Sequence, residues 1–195
     1  TPEDKPFDAD AYECVRTMEA LQVWIDRILE RGHVAVDTET TSLDEMRADL
    51  VGISLCVDAG TACYIPLGHK AAAQDDLFGS DARADGQMDM AACLAALKPV
   101  LEDASILKIG QNMKYDAKIF ALLGIHIAPI DDTMLLSYAM HAGLHNHGMD
   151  TLSERYLGHT PIPIKPLLGS GKSAVTFDRV PIDDAVRYAA EDADI

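Results

Sequence analysis

The segment 33–39 constrains the fold most, because it begins as an apolar β-strand and ends on two carboxylates. Asp37 and Glu39 are two residues apart, so a strand directs both side chains to the same face of a sheet. The carboxyl end of a strand is also where an open α/β sheet usually binds its ligands. The alternative is that Asp37 caps a turn and Glu39 is merely solvated, since acids are common at strand ends.

A third acid lies on the apolar side of a predicted helix. Asp116 comes three and four residues before Ile119 and Phe120, and this spacing brings all three side chains to one side of a helix. The alternative role of Asp116 is an ion pair with Lys114 or Lys118.

A fourth acid continues the apolar stripe of the last predicted helix. Asp192 follows Ala185 by seven residues and Ala189 by three, so the three share a helix face. Tyr188, four residues before Asp192, is on the same face, where a tyrosine is most often a packing residue. The alternative is that Asp192 is one more acid on a helix whose other acids are expected to be solvated. These other acids are Asp183, Asp184, Glu191 and Asp194.

These four acids predict a metal site. Buried carboxylates are costly unless a cation compensates their charge. Four oxygen donors without His or Cys suit Mg²⁺ or Mn²⁺. The predicted metal ligands are Asp37, Glu39, Asp116 and Asp192.

Length and charge narrow the class of protein. The 195 residues, 48% of them hydrophobic, suffice for a single α/β domain covering 1–195. The net charge of −16 argues against a stand-alone nucleic-acid binder, because phosphate contacts need Lys and Arg. A site that handles a few nucleotides is still possible, since bound cations supply local positive charge. We expect no membrane partner, because no apolar run approaches the roughly 20 residues that span a bilayer.

The cysteines and the last helix indicate the setting. Cys14, Cys56, Cys63 and Cys93 have apolar neighbours and no Cys-x-x-Cys spacing, which favours reduced thiols in the cytoplasm over a Cys56–Cys63 disulfide across a hairpin. The final helical pattern lacks a stop signal. We therefore expect a domain taken from a longer chain.

Hydrophobic periodicity predicts an α/β fold with a mixed five-stranded sheet flanked by helices. Asp89 and Asn112 are expected to cap the helices that follow them. The predicted strands are 33–39, 50–58, 62–67, 105–109 and 126–130, and the predicted helices are 18–31, 90–101, 112–123, 132–141, 150–157 and one that starts near 181.

Three motifs carry a resemblance to a known family. They are Asp37-Thr38-Glu39-Thr40-x-Ser42-Leu43, Gly110-Gln111-Asn112-x-Lys114-Tyr115-Asp116 and Tyr188-Ala189-Ala190-Glu191-Asp192. Their order resembles the tyrosine branch of the DEDD exonuclease superfamily. Their residues are similar to those of the 3′–5′ proofreading exonuclease domain of bacterial DNA polymerase I. This similarity extends over nearly the whole chain.

The resemblance implies a ribonuclease-H-like fold and a phosphodiesterase that uses two divalent cations, Mg²⁺ or Mn²⁺. Asp37, Glu39 and Asp192 would hold the first ion, and Asp37 would bridge to a second ion that Asp116 reaches directly or through water. Two such cations activate a water for in-line attack and stabilise the departing 3′ oxygen. Tyr188 would orient the attacking water, since a phenol is too weak an acid to serve as the base at neutral pH.

The resemblance also implies contacts with a frayed DNA 3′ end. Leu43 would wedge against the terminal bases, or alternatively lie in the core. Asn112 can act as a helix cap as well as a substrate contact. The expected substrate-binding residues are Thr38, Thr40, Leu43, Gln111, Asn112, Tyr115, His147 and Met149.

Two other motifs are weaker. Residues 169–173 look like a phosphate-binding loop, but Pro166 stands where such a loop needs Gly. His141, His145 and His147 crowd one segment, yet without a nearby Cys or a regular helix they make a poor zinc site.

The predicted function is removal of nucleoside 5′-monophosphates from DNA 3′ ends, as proofreading within a DNA polymerase I. The expected partners are single-stranded or frayed DNA and a polymerase domain of the same parent chain, with the protein a cytoplasmic monomer. The alternatives are a ribonuclease-D-like enzyme that trims RNA 3′ ends and a catalytically inactive structural domain.

Overall fold

A mixed six-stranded sheet forms the centre of the computed structural model, which describes residues 7–71, 82–171 and 174–195. The strands lie in the order β1-β4-β3-β2-β5-β6. Their bounds are β1 Glu13–Cys14, β2 His33–Thr40, β3 Leu50–Asp58, β4 Thr61–Pro66, β5 Leu107–Gly110 and β6 Ile130–Asp132.

The strand directions explain why the sheet is mixed. β2, β3 and β4 form an antiparallel meander, whereas β5 and β6 continue it in parallel and β1 pairs in parallel with β4. The predicted mixed α/β fold is confirmed. The predicted number of five strands is wrong, because β1 has only two residues and leaves no periodic pattern to detect.

Seven α-helices flank this sheet in the described part of the chain. α1 begins after Thr17, whose side chain accepts from the Ala20 amide, and ends at Gly32 with a φ of 71°. The helices are α1 Met18–Arg31, α2 Met90–Glu102, α3 Lys114–Leu122, α4 Thr133–His141, α5 Met149–Tyr156, α6 Ile164–Leu168 and α7 Ile182–Asp194.

Caps were predicted with mixed success. Asp89 caps α2, since its side chain accepts from the Ala92 amide at 2.8 Å. The cap predicted at Asn112 is wrong: Met113 occupies the N-cap position without a side-chain bond, and Asn112 has a φ of 58°. α6 was not predicted, because its five residues lie in a Pro-rich segment without helical periodicity.

Each face of the sheet has its own apolar layer. Trp24 of α1, Leu97 of α2 and Phe120 of α3 belong to one buried cluster, and Ala185 and Ala189 of α7 belong to the other. Side chains alternate along β2, so Val34 and Val36 join the first cluster and Ala35 borders the second. The same alternation directs Asp37 and Glu39 to the α7 face.

The hairpin of β3 and β4 carries two of the four cysteines. All four cysteines are free thiols. Cys56 is paired with Ala62 and Cys63 with Leu55, so the two cysteines are not opposite each other in the hairpin. No helix among the described residues is long and apolar enough to cross a membrane. Lys172 and Ser173 of the 169–173 motif lie outside the described residues.

Candidate active site

Three acids from the two ends of the chain meet at the carboxyl end of β2. Asp37, Glu39 and Asp192 each place a carboxylate oxygen within 4.8 Å of the others. The first two come from β2, and Asp192 comes from the last turn of α7, which packs across β2, β3 and β4. The alanines on the buried face of α7 allow the helix to approach the sheet closely enough for this meeting.

Asp116 is the fourth acid, and Thr38 fixes its orientation. Its Oδ1 atom accepts hydrogen bonds from the Thr38 amide at 3.1 Å and from the Thr38 hydroxyl at 2.5 Å. Both groups are buried. Because Thr38 lies between Asp37 and Glu39 on β2, these bonds tie α3 to the acids of the strand.

Burial and mutual repulsion raise the pKa values of the acids. Removal from water, and then the charge of Asp116, raise the pKa of Asp37 well above its ordinary value. Burial and the charge of Asp192 do the same to Glu39. Burial raises the pKa of Asp116 to about 6 and that of Asp192 to about 7.

The donor set fits a hard divalent cation. Among the ion pairs formed between described residues, none involves Asp37, Glu39 or Asp192. A concentration of buried carboxylates without a Lys or Arg partner is expensive unless a bound cation balances it. Carboxylate oxygens are the ligands that Mg²⁺ and Mn²⁺ prefer.

Tyr188 lies beside the acids as a protonated hydroxyl. Its ring is half-buried on α7, and Asp192 lies one helical turn further along the same helix. Burial, followed by the charge of Asp192, raises the pKa of Tyr188 far above its ordinary value. Tyr188 therefore keeps its proton at neutral pH and acts as a hydrogen-bond donor.

Leu43 stands on an exposed turn four residues after Glu39. Its side chain is 95% exposed, so the alternative that placed Leu43 in the core is excluded. The hydroxyls of Thr40 and Tyr115 lie 2.5 Å apart and both contact the carbonyl oxygen of Ser42. The two residues predicted to contact substrate thus anchor the turn that presents Leu43.

Gln111 is hydrogen-bonded to the backbone of His147. Nε2 of Gln111 donates to the carbonyl oxygen of His147 at 2.8 Å, and Oε1 accepts from the Thr133 hydroxyl at 2.5 Å. Nδ1 of His147 bonds the Ser137 hydroxyl at 2.9 Å. These contacts join the segment before α5 to β5 and α4.

Asn112 presents a polar atom without a partner. Its Oδ1 atom is buried and accepts no hydrogen bond within the described residues, although its backbone amide donates to Asp132 at 3.0 Å. A buried acceptor left without a donor is costly and is often completed by a ligand.

A cavity of about 550 Å³ adjoins the acids on the α7 side of the sheet. Asp37 and Asp192 line one part of it, and Met149, Leu136 and Tyr156 line others. Asp37 and Asp192 therefore border a space that apolar side chains line in large part.

The histidines cluster without forming a comparable donor set. The ring centroids of His141 and His145 are 5.6 Å apart, and those of His145 and His147 are 4.8 Å apart. Among the described residues, only the three carboxylates bring donor atoms into mutual reach as a group of three or more.

Sequence reasoning missed several residues that shape the site. It did not identify Asp132, which caps α4 and also holds the Asn112 amide, or Thr133, which orients Gln111. It treated Glu191 as a solvated acid, but this side chain is buried. The N-cap spacing of Asp132 was the one available signal.

The Thr38 hydroxyl should hold down the pKa of Asp116. Burial raises that pKa and the Thr38 hydrogen bond lowers it. In Thr38→Val the hydroxyl is lost, so we expect the pKa of Asp116 to rise above its value of about 6. Carboxyl-carbon NMR titration of metal-free protein measures this change. Thr38→Ser keeps the hydroxyl and serves as the control; equal titration of the Val and Ser variants would contradict the prediction.

Removal of Asp192 should stabilise the metal-free protein at high pH. The folded-state pKa of about 7 exceeds the unfolded value, so the folded chain binds more protons between these values. Rising pH therefore lowers the free energy of unfolding of the wild type through this window. We expect Asp192→Asn to gain stability over the wild type from about pH 4 to about pH 8 in urea denaturation with a chelator. Asp184→Asn, on an exposed position of α7, is the control, and a pH-independent gain would contradict the prediction.

Comparisons with known proteins agree with this site. A family model described as 3′–5′ exonuclease matches residues 12–195. The chain is 50% identical to the DNA polymerase I of Rhizobium leguminosarum over 97% of its length and 38% identical to that of Pseudomonas aeruginosa over 98%. It spans about a fifth of these relatives, 19% and 20% of their lengths.

Solved structures share the fold. RNase D of Escherichia coli superposes with a TM-score of 0.63 at 21% identity, covering 94% of this chain and 41% of that one. RNase D of Trypanosoma brucei gives a TM-score of 0.68 at 15% identity, covering 94% and 61%. The α/β architecture is therefore ribonuclease-H-like, and the chain belongs to the 3′–5′ exonuclease family of DNA polymerase I.

Proposed function

We propose that this chain hydrolyses the 3′-terminal phosphodiester bond of DNA and releases nucleoside 5′-monophosphates. The observation that carries the proposal is the meeting of Asp37, Glu39 and Asp192 within 4.8 Å. The site is of the kind that phosphodiesterases use with divalent cations. Leu43, exposed four residues after Glu39, supplies an apolar contact for terminal bases.

Two divalent cations, Mg²⁺ or Mn²⁺, are the proposed cofactors. Asp37, Glu39 and Asp192 would hold one, and Asp116 together with Asp37 would hold the other. Bound cations of this kind activate water and stabilise negative charge on the leaving oxygen. The raised pKa values of the acids support the proposal, because a cation would favour the charged forms that burial disfavours.

The side chains around the acids have separate proposed tasks. Tyr188, which keeps its proton, donates a hydrogen bond that orients the attacking water. The unpartnered Oδ1 of Asn112 accepts from the terminal nucleotide. Thr40 and Tyr115 keep the Leu43 turn in place, and Leu43 separates the terminal base from its neighbour.

We propose that the chain works as a single domain, 1–195, of a longer polymerase that edits mispaired ends. The polymerase I relatives support this setting. A net charge of −16 also supports it, because tight DNA binding then requires basic surface elsewhere in the parent chain. We further propose a monomer in the cytoplasm, the compartment that free cysteines favour.

RNA trimming is the second candidate function, since the fold is shared with ribonucleases D. The deciding experiment offers matched single-stranded DNA and RNA oligonucleotides to the protein with Mn²⁺. We expect faster release of mononucleotides from DNA, and a preference for RNA would favour the second candidate.

Asp37→Ala and Asp116→Ala should each lower kcat by about two to three orders of magnitude, as loss of a preorganised charged group does. Equal, background-level rates for wild type and variants would indicate an inactive structural domain.

Tyr188→Phe should slow hydrolysis without weakening metal binding. The phenyl ring keeps the packing but cannot donate to the water, and misorientation of a reactant costs up to about a hundredfold in rate. We expect kcat to fall while the affinity for Mn²⁺, measured by calorimetry, is unchanged. Wild-type turnover by this variant would refute the orienting role.

A further inference from the structure

Glu191 is a buried acid directly before the proposed metal ligand Asp192. Its side chain is 3% exposed, less than any ordinary solvated acid. Oε1 lies 2.8 Å from Nε2 of His159, and Oε2 accepts from the backbone amide of Ile162 at 2.6 Å. Both oxygens are thus engaged with residues from one segment between α5 and α6.

That segment is itself firmly attached to the rest of the fold. The Ser153 hydroxyl of α5 donates to the carbonyl oxygen of His159 at 2.9 Å. The ring of Phe7 stacks on His159 with centroids 4.1 Å apart. Glu191 therefore joins α7 to a segment that is itself bonded to α5 and packed against Phe7.

Helix geometry links this attachment to Asp192. Consecutive residues on an α-helix project about 100° apart, so Glu191 and Asp192 face different neighbours. A rotation of the last turn of α7 that moves one necessarily moves the other.

The last turn of α7 is also held at Asp194, which accepts from the Tyr12 hydroxyl at 2.8 Å and from the Gly60 amide at 2.6 Å. The rest of the buried face of α7 is mainly apolar. It is lined at four positions by alanine, whose methyl groups form shallow ridges against the sheet. The four alanines are Ala185, Ala189, Ala190 and Ala193. Directional hydrogen bonds accepted by Glu191 and by Asp194 provide the orientation that these methyl groups do not.

We propose that Glu191 is a positioning residue that sets the rotation of the last turn of α7 and so keeps Asp192 beside Asp37 and Glu39. The role is geometric, through the bonds to His159 and Ile162, and Glu191 itself contacts neither metal nor substrate. This inference rests on the proposed function, since it assigns Asp192 to a divalent-cation site.

The test compares Glu191→Ala, Glu191→Gln and Asp184→Ala in the 195-residue protein by calorimetric titration with Mn²⁺. Glu191→Ala loses both hydrogen bonds. Glu191→Gln loses the charge but keeps the geometry, because its carbonyl accepts from the Ile162 amide and its amide donates to an unprotonated Nε2 of His159. Asp184→Ala removes one charge from an exposed position on the same helix.

We expect Glu191→Ala to weaken Mn²⁺ binding by about tenfold to a hundredfold, the usual cost of losing a residue that orients a ligand. Glu191→Gln and Asp184→Ala should bind Mn²⁺ nearly as well as wild type. Amide hydrogen exchange at Ile162 should accelerate in the Ala variant alone. Saturating Mn²⁺ should restore most of kcat to the Ala variant with little change in KM, which a general loss of folding would not allow.

Two results would overturn the inference. One is wild-type Mn²⁺ affinity in folded Glu191→Ala, and the other is equal weakening by the Ala and Gln variants, which would make the effect one of charge. If Glu191→Ala does not fold, His159→Ala removes one of the two bonds and should still weaken Mn²⁺ binding; unchanged affinity there contradicts the proposal.

The experiment distinguishes failure of the Glu191 inference from failure of the proposed exonuclease function. The Mn²⁺ titration requires no catalysis, so it reports on Glu191 even if the wild-type protein cleaves neither DNA nor RNA. Conversely, an active wild type with an unaffected Glu191→Ala variant rejects only the positioning role.

Discussion

The fold has to hold four like charges together, and the rest of the site follows from that constraint. Burial raises the pKa values of all four acids, and the charges of neighbouring members of the group raise those of Asp37 and Glu39 further. Apolar packing on both faces of the sheet opposes this cost. Packing therefore holds the four acids in place, but no Lys or Arg among the described residues balances the negative charge of Asp37, Glu39 and Asp192. This imbalance favours binding of a cation.

The polar side chains around the acids differ in whether their hydrogen-bonding atoms have partners within the protein. Thr38 orients Asp116, and Gln111 holds the segment at His147, so their polar atoms are used inside the protein. Asn112 differs, because its buried Oδ1 has no partner among the described residues. The motifs do not show this difference, since Gln111 and Asn112 are adjacent in sequence.

Long helices and strands with clear hydrophobic periodicity could be predicted from the sequence. Short elements and local turns that depend on contacts with distant segments could not. The bounds of α1 follow from its apolar stripe and from Gly32 at its end, and β2 follows from its alternation. The two-residue β1 exists only because β4 offers an edge to pair with. Asn112 is expected to cap α3, but its backbone lies in the left-handed region and its Oδ1 accepts from none of the described helix amides.

The sequence by itself determined the mixed α/β architecture, the identity of the four acids and the family, because periodicity and motif spacing are local properties of the chain. Only the tertiary structure decided that Thr38 serves Asp116, that Leu43 is exposed and that Glu191 is buried against His159 and Ile162. Each of these depends on segments that are distant in sequence or on which side of a turn faces solvent. Such relations arise from packing, and no pattern within one segment encodes them.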